Sequence, residues 1–121
     1  MDAARSFRDL VVWQKGIQLT KLVYGLTRSF PADERFGVIT QMRRAAVSVP
    51  SNIAEGQARH TTGEFIQFIS HAEGSVAELD TQLIVSVELT YTRAEDADAL
   101  LELISELRRM LNALRRKLAG R

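Results

Sequence analysis

Apolar residues recur along much of this chain at alternating steps of three and four, the spacing of one face of an α-helix. The pattern is cleanest near the C-terminus. There Ala97, Leu100, Ile104, Leu107, Leu111, Leu114 and Leu118 form a seam of the kind that packs at a shallow angle on neighbouring helices. Thr92 and Glu95 have capping-box spacing at its start. Asp96 and Asp98 suit the positive N-terminal end, and Arg115, Arg116 and Lys117 the negative C-terminal end. Gly120 suits the stop. Phe65, Ile69, Ala72, Val76, Leu79 and Leu83 make a second seam behind a Thr61–Glu64 capping box. Gly74 interrupts it, either as a tolerated defect costing about 1 kcal/mol relative to alanine or as a point of close backbone approach.

The N-terminal half is apolar on more than one side. A first helix is expected from about Asp9 to Ser29, with Leu10, Trp13, Ile17, Thr20 and Tyr24 on one face and Val12, Leu19, Val23 and Leu26 widening it. A second should begin near Asp33, after Phe30-Pro31, and carry Phe36, Ile39, Met42, Ala46, Val49 and Ile53. Pro50 falls inside it. Proline removes a backbone donor and crowds the carbonyl four residues earlier, here Ala46. Apolar spacing continues across the proline, so a kink is expected rather than two helices. Asn52 is placed to satisfy backbone groups that the kink releases. The connections, about 29–33, 57–62 and 89–93, are short, and short links make antiparallel neighbours. The expected fold is all-α: an antiparallel up-down-up-down four-helix bundle, one domain over residues 1–121.

Composition changes this picture little. At 121 residues, 45% apolar and 26% charged, the chain has the balance of one globular domain. It has no cysteine, which excludes disulfides and thiolate metal sites. Met1 to Arg8 lacks the apolar core of a signal peptide, and no run of about 18 apolar residues exists to span a membrane. A cytoplasmic protein is expected.

Some apolar residues exceed what one core stripe needs. Leu101, Leu103 and Met110 are surplus on the last helix; Ile66, Phe68, Ile84, Val85 and Val87 on the third; the Val12 side on the first. Such surplus points to self-association into a symmetric homo-oligomer, or else to a wide core or to apolar residues scattered singly.

Catalytic patterns are missing. His60 and His71 are the two histidines, and the positions three before them are Gln57 and Phe68, so the Glu-x-x-His motif of bundle metal sites is absent. There is no phosphate-binding glycine loop, nucleotide fingerprint or nucleophile elbow. His60 reads as a loop residue and His71 as a satisfied structural histidine. The expectation is a non-enzymatic protein with no metal and no cofactor.

Charge is uneven although the net is only +1. Residues 1–54 hold eight basic and four acidic residues, 55–106 two and eleven, and 107–121 six and none. Arg43 and Arg44 read either as a polar helix face paired within the molecule to acidic neighbours or as a phosphate-contacting site, since guanidinium forks suit phosphate. Glu55 and Arg59 have the spacing of a surface ion pair; Glu55-Gly56 is otherwise placed to bind the kinked region or a partner subunit. Arg108, Arg109, Arg115, Arg116, Lys117 and Arg121 read either as helix-end charge complementarity or as an electrostatic footprint for RNA or DNA. No aromatic residue lies among them, so a stacking platform for single strands is not expected.

Longer motifs add to this. They are Leu10-Val11-Val12-Trp13-Gln14-Lys15, then Phe30-Pro31 followed by Glu34-Arg35-Phe36-Gly37, then the run Gln41 to Gly56 with Arg43-Arg44-Ala45-Ala46 and Pro50-Ser51-Asn52-Ile53-Ala54-Glu55-Gly56. Glu64-Phe65, Gly74-Ser75 and Glu78-Leu79-Asp80-Thr81-Gln82-Leu83 follow. Through these motifs the chain from Phe7 to Tyr91 resembles the 23S rRNA intervening-sequence proteins. The resemblance implies a bacterial four-helix bundle assembled as a ring, a pentamer in relatives. That family is in turn similar to accessory variability proteins of diversity-generating retroelements, which implies a reverse transcriptase and nucleic acid as possible partners. It implies no catalytic residue.

Overall fold

The computed structural model describes residues 6–120; Arg121 and the N-terminal residues up to Arg5 lie outside them. Four helices follow one another: α1 (Val11–Thr27), α2 (Val38–Gln57), α3 (Thr62–Glu88) and α4 (Ala94–Ala119). Short 3-10 turns at Phe7–Asp9 and Ala32–Glu34 precede α1 and α2, and no strand occurs among the described residues. Sequential helices pack on each other, and α4 returns to pack on α1. Thr20 meets Ala46 and Arg43 meets Thr27; Ser48 meets Ser75 and Met42 meets Ser86; Arg115 meets Glu73 and Arg108 meets Asp80. Within each pair of helices position rises on one as it falls on the other. The backbones of the diagonal pairs, α1 with α3 and α2 with α4, make no close approach. The result is a four-helix bundle around one core.

The seams of α3 and α4 are buried as their spacing requires. Ile69, Ala72, Val76, Leu79 and Leu83 face Ala97, Leu100, Ile104, Leu107 and Leu111, all 3% exposed or less. Burial of each leucine or isoleucine contributes about 1.5–3 kcal/mol. The α3 N-terminus is capped by Thr61, whose Oγ1 accepts the Glu64 amide at 3.1 Å. At α4 the expected box does not form. The N-cap is Arg93, with no side-chain cap, and Glu95 pairs with Arg93 at 3.0 Å instead. The helix starts one residue later than that box requires.

The first two helices depart further from expectation. In α1 the buried stripe is Val12, Gly16, Leu19, Val23 and Thr27, whereas Ile17 and Tyr24 are each 38% exposed. The face expected to be an extra flank is the core face. The cause is Gly16: a β-carbon there would lie 3.2 Å from the Pro50 side chain, so α1 and α2 touch along the glycine side. α2 begins at Val38 rather than near Asp33, and Phe36 is 88% exposed rather than on the seam. Glu34 interrupts the chain by folding back, its Oε1 accepting the Val38 amide at 3.2 Å. α2 then runs unbroken through the buried Pro50. Close approach occurs at Gly16 and Gly56, not at Gly74, where a β-carbon would meet nothing within 4 Å.

Much of the expected apolar surplus is absorbed. Leu103 is buried in the core, and Ile66, Val87, Leu101 and Met110 pack against it. The large apolar side chains left exposed are Val11, Ile17, Tyr24, Phe36, Val47, Ile84, Val85 and Leu89. No helix among the described residues is long and apolar enough to cross a membrane.

Candidate nucleic-acid interface

The basic residues singled out in the sequence fall into two groups, one on α2 and one on α4, which occupy diagonal corners of the bundle. They form two surfaces, not one.

On the α1–α2 side, a shallow open groove is lined by Tyr24, Thr40, Arg43, Arg44, Val47, Ser48, Ser51, Asn52 and Glu55. Spacing alone explains the set. Residues 44, 48, 51, 52 and 55 share one helical face, and Tyr24 reaches it from the neighbouring helix. Arg43 is engaged inside the subunit. Its Nε donates to Thr27 Oγ1 at 2.9 Å, and its guanidinium sits 4.5 Å from the centre of the Tyr24 ring. An arginine over an aromatic face is stabilised by the ring quadrupole. The expected pairing with acidic neighbours does not form: the partners of Arg43 are a hydroxyl and a ring. Arg44 is exposed and has no ion-pair partner among the described residues.

Asn52 and Glu55 join this groove, while Pro50 and Gly56 face inward. Asn52 donates to the Ser48 carbonyl at 2.8 Å, not to the carbonyl that Pro50 leaves unpaired. That carbonyl, of Ala46, accepts from Thr20 Oγ1. Glu55 pairs loosely with Arg59 at 3.8 Å. Gly56 lets α3 approach: a β-carbon would lie 2.8 Å from Phe68 Cβ.

The second surface is the outer side of α4, where Arg108, Arg109, Asn112, Ala113 and Arg116 line a concave strip. Its cations are not equivalent. Arg115 turns toward α3, and its Nε donates to Glu73 Oε1 at 2.7 Å. Arg108 lies 3.7 Å from Asp80. Arg109 donates to Ser105 Oγ at 2.7 Å and keeps its charge unpaired among the described residues. Arg116 and Lys117 are exposed in the last turn of α4, likewise without a carboxylate partner there. These three present cations that a phosphate chain can reach without breaking an existing ion pair. Such contacts position a nucleic acid without reading its bases.

The histidines take no part. His60 is exposed after α2, and His71, expected to be a satisfied structural residue, is exposed on α3 with its ring edge-on to Phe68 at 5.9 Å. Among the described residues no three His, Asp or Glu side chains converge as metal ligands.

Sequence reasoning missed Thr20 and Gly16 as the residues that shape the α1–α2 contact, and it singled out Gly56 without its place against α3. Gly16 carried a signal: it lies four residues after Val12 and three before Leu19 on one helical stripe.

Residues 8–113 match the model of a family described as 23S rRNA-intervening sequence protein. A solved structure from Bacteroides thetaiotaomicron, described as a protein with unknown function from the S23 ribosomal protein family, superposes with a TM-score of 0.81 at 19% identity. The superposition covers 87% of this chain and 98% of that one, and it is a likeness of fold. No curated protein matches the chain.

Proposed function

The chain belongs to the 23S rRNA-intervening sequence protein family, and from that premise we propose a non-enzymatic, homo-oligomeric, single-domain module that binds RNA or another nucleic acid through phosphate contacts on the outer side of α4. One observation carries this reading: Arg109, Arg116 and Lys117 are exposed along the C-terminal half of α4 and have no carboxylate partner among the described residues. Guanidinium groups fit phosphate oxygens two at a time, and binding releases condensed counterions. Arg44 offers a lesser contact on the opposite corner. A cytoplasmic location fits a nucleic-acid ligand.

The test is a salt titration. Labelled RNA, single- and double-stranded, is titrated with protein at several salt concentrations. Binding that falls linearly in log–log form with salt supports the proposal. No binding to RNA or DNA at low salt overturns it.

A second reading, a protein-docking scaffold without nucleic-acid binding, is favoured by the apolar side chains exposed on α1–α2 and on α3. By resemblance a reverse transcriptase is one such partner. Failure of the salt titration leaves this reading standing.

A further inference from the structure

Ser105, Arg109, Asn112 and Arg116 recur at steps of four, three and four, which puts them on one outer stripe of α4. The stripe is rigid, because the opposite face of the helix is locked by Leu107, Leu111 and Leu118, each 2% exposed or less. Arg109 and Arg116 therefore stand about 10.5 Å apart along the axis, at about 1.5 Å per residue. Between them Asn112 is half-buried, and its amide has no hydrogen-bond partner among the described residues. Ala113 keeps the floor of the strip low, and no aromatic or large apolar side chain lines it. Upstream the same stripe changes sign. Asp98 and Glu102 are exposed there and have no cation partner among the described residues, while Glu106 is taken by Lys15 at 3.2 Å.

We infer that the ligand of this strip is a double helix, gripped by its phosphate backbone over the C-terminal half of α4 and not read at its bases. This deepens the nucleic-acid reading proposed above and rests on it. Proteins that hold single strands stack the bases on aromatic side chains, and the strip has none to offer. What it offers is fixed charge. A duplex presents about one phosphate per 1.7 Å of axis, against about one per 3.4 Å on either strand alone. Cations that cannot follow a flexible strand meet more phosphates on the stiffer, denser polyanion. Asn112 adds a neutral donor between the two guanidinium groups, placed for a phosphate or sugar oxygen. Arg108 and Arg115 lean toward Asp80 and Glu73 on the α3 flank, so neither is free to reach a base edge. The contact ends where the stripe turns acidic. From Ser105 to Lys117 the helix rises about 18 Å, so the duplex crosses the end of α4 and does not lie along it.

Fluorescence anisotropy on the full chain tests this with short RNA and DNA duplexes and their separated strands, of mixed sequence and matched length. At low salt each duplex should bind about tenfold tighter than its strands, with a salt slope of about 2.7 for the cations of Arg109, Arg116 and Lys117 at about 0.9 each. Arg109→Ala/Arg116→Ala should lower that slope by about 2. Asp98→Lys/Glu102→Lys lengthens the cationic stripe, and should steepen the slope by up to about 2 and tighten duplex binding. Strands that bind as tightly as the duplex overturn the duplex assignment alone. An unchanged slope in Asp98→Lys/Glu102→Lys overturns the placement along this stripe. A preference of about tenfold among sequences, or between RNA and DNA duplexes, overturns the backbone-only grip. Absence of binding to any of these nucleic acids at low salt overturns the phosphate-binding reading of α4 itself. Circular dichroism checks the folds. Should the alanine variant unfold, Arg109→Gln/Arg116→Gln serves instead, with the same loss of slope expected and an unchanged slope counting against the proposal.

Discussion

The hydroxyl of Thr20 on α1 lies 3.2 Å from the backbone carbonyl of Ala46 on α2, the one acceptor that Pro50 deprives of its helical donor. The same hydroxyl lies 3.0 Å from the Gly16 carbonyl of its own helix, so one proton is shared between two acceptors. A proline in a helix interior costs about 3 kcal/mol in part through that lost bond. Here a neighbouring helix offsets some of the loss, and Gly16 makes the room for it. Thr20→Val keeps the shape and removes the donor, and should destabilise by about 1 kcal/mol in denaturant unfolding. In a Pro50→Ala background the new amide serves Ala46, so the same change should cost less. Equal costs in both backgrounds would show that the two residues are not coupled.

Gly56 and Gly74 should respond oppositely to alanine. At Gly56 the added carbon would sit 2.8 Å from Phe68 Cβ and 2.9 Å from the Phe65 ring, so α3 must shift. The strain outweighs the gain in helix propensity, for a net loss of about 1–2 kcal/mol. Gly74 has open space around it, and alanine there should stabilise by up to about 1 kcal/mol. Melting temperatures of opposite shift are the readout.

Glu34 and Tyr91 tie the connection before α2 to the middle of the α3–α4 turn, with the phenol donating to the carboxylate at 2.7 Å. That hydrogen bond, then the Val38 amide, holds the Glu34 carboxyl below its ordinary value. The Tyr91 phenol is raised, first by Glu34 and then by desolvation. The folded protein thus keeps Glu34 ionised at lower pH than the unfolded chain does. Its contribution is present above the unfolded carboxylate value and is lost as pH falls through the folded one. The Tyr91 contribution is full below the ordinary phenol value and is lost as pH rises through the raised one. Tyr91→Phe should therefore melt lower than wild type at neutral pH, and the gap should narrow toward both extremes. A gap independent of pH would remove the hydrogen bond as its cause.

Replacing Arg109, Arg116 and Lys117 together with alanine should lower the salt slope of RNA binding by about 2, at about 0.7 per phosphate contact on a single strand. Arg115→Ala should leave that slope nearly unchanged and instead cost about 1 kcal/mol of stability, because its guanidinium is committed to Glu73. An equal effect of Arg115 on the slope would argue against the α4 surface as described.

The seams of α3 and α4 were legible because each helix has one apolar stripe and a charged back. The α2 seam was legible too from Ile39 to Ile53, but that of α1 was not, because its apolar residues surround the axis and periodicity alone cannot choose between the Trp13–Tyr24 face and the Val12–Val23 face. The choice was made by Gly16 against Pro50, a contact between residues far apart in sequence. The binding surface divided the same way. Its residue types were readable, but Arg43 beside Thr27 and Arg115 beside Glu73 spend cations that looked equivalent in the sequence.

Periodic spacing, turn lengths and the absence of cysteine by themselves determined four helices, their order and the lack of any thiolate site, since these depend on neighbours within a few residues. Which stripe of α1 turns inward, which carbonyl Thr20 reaches, and which arginines keep an unpaired charge were decided by the tertiary structure. Those outcomes depend on side chains that meet across tens of residues, and close packing admits one arrangement of them where local spacing allows several.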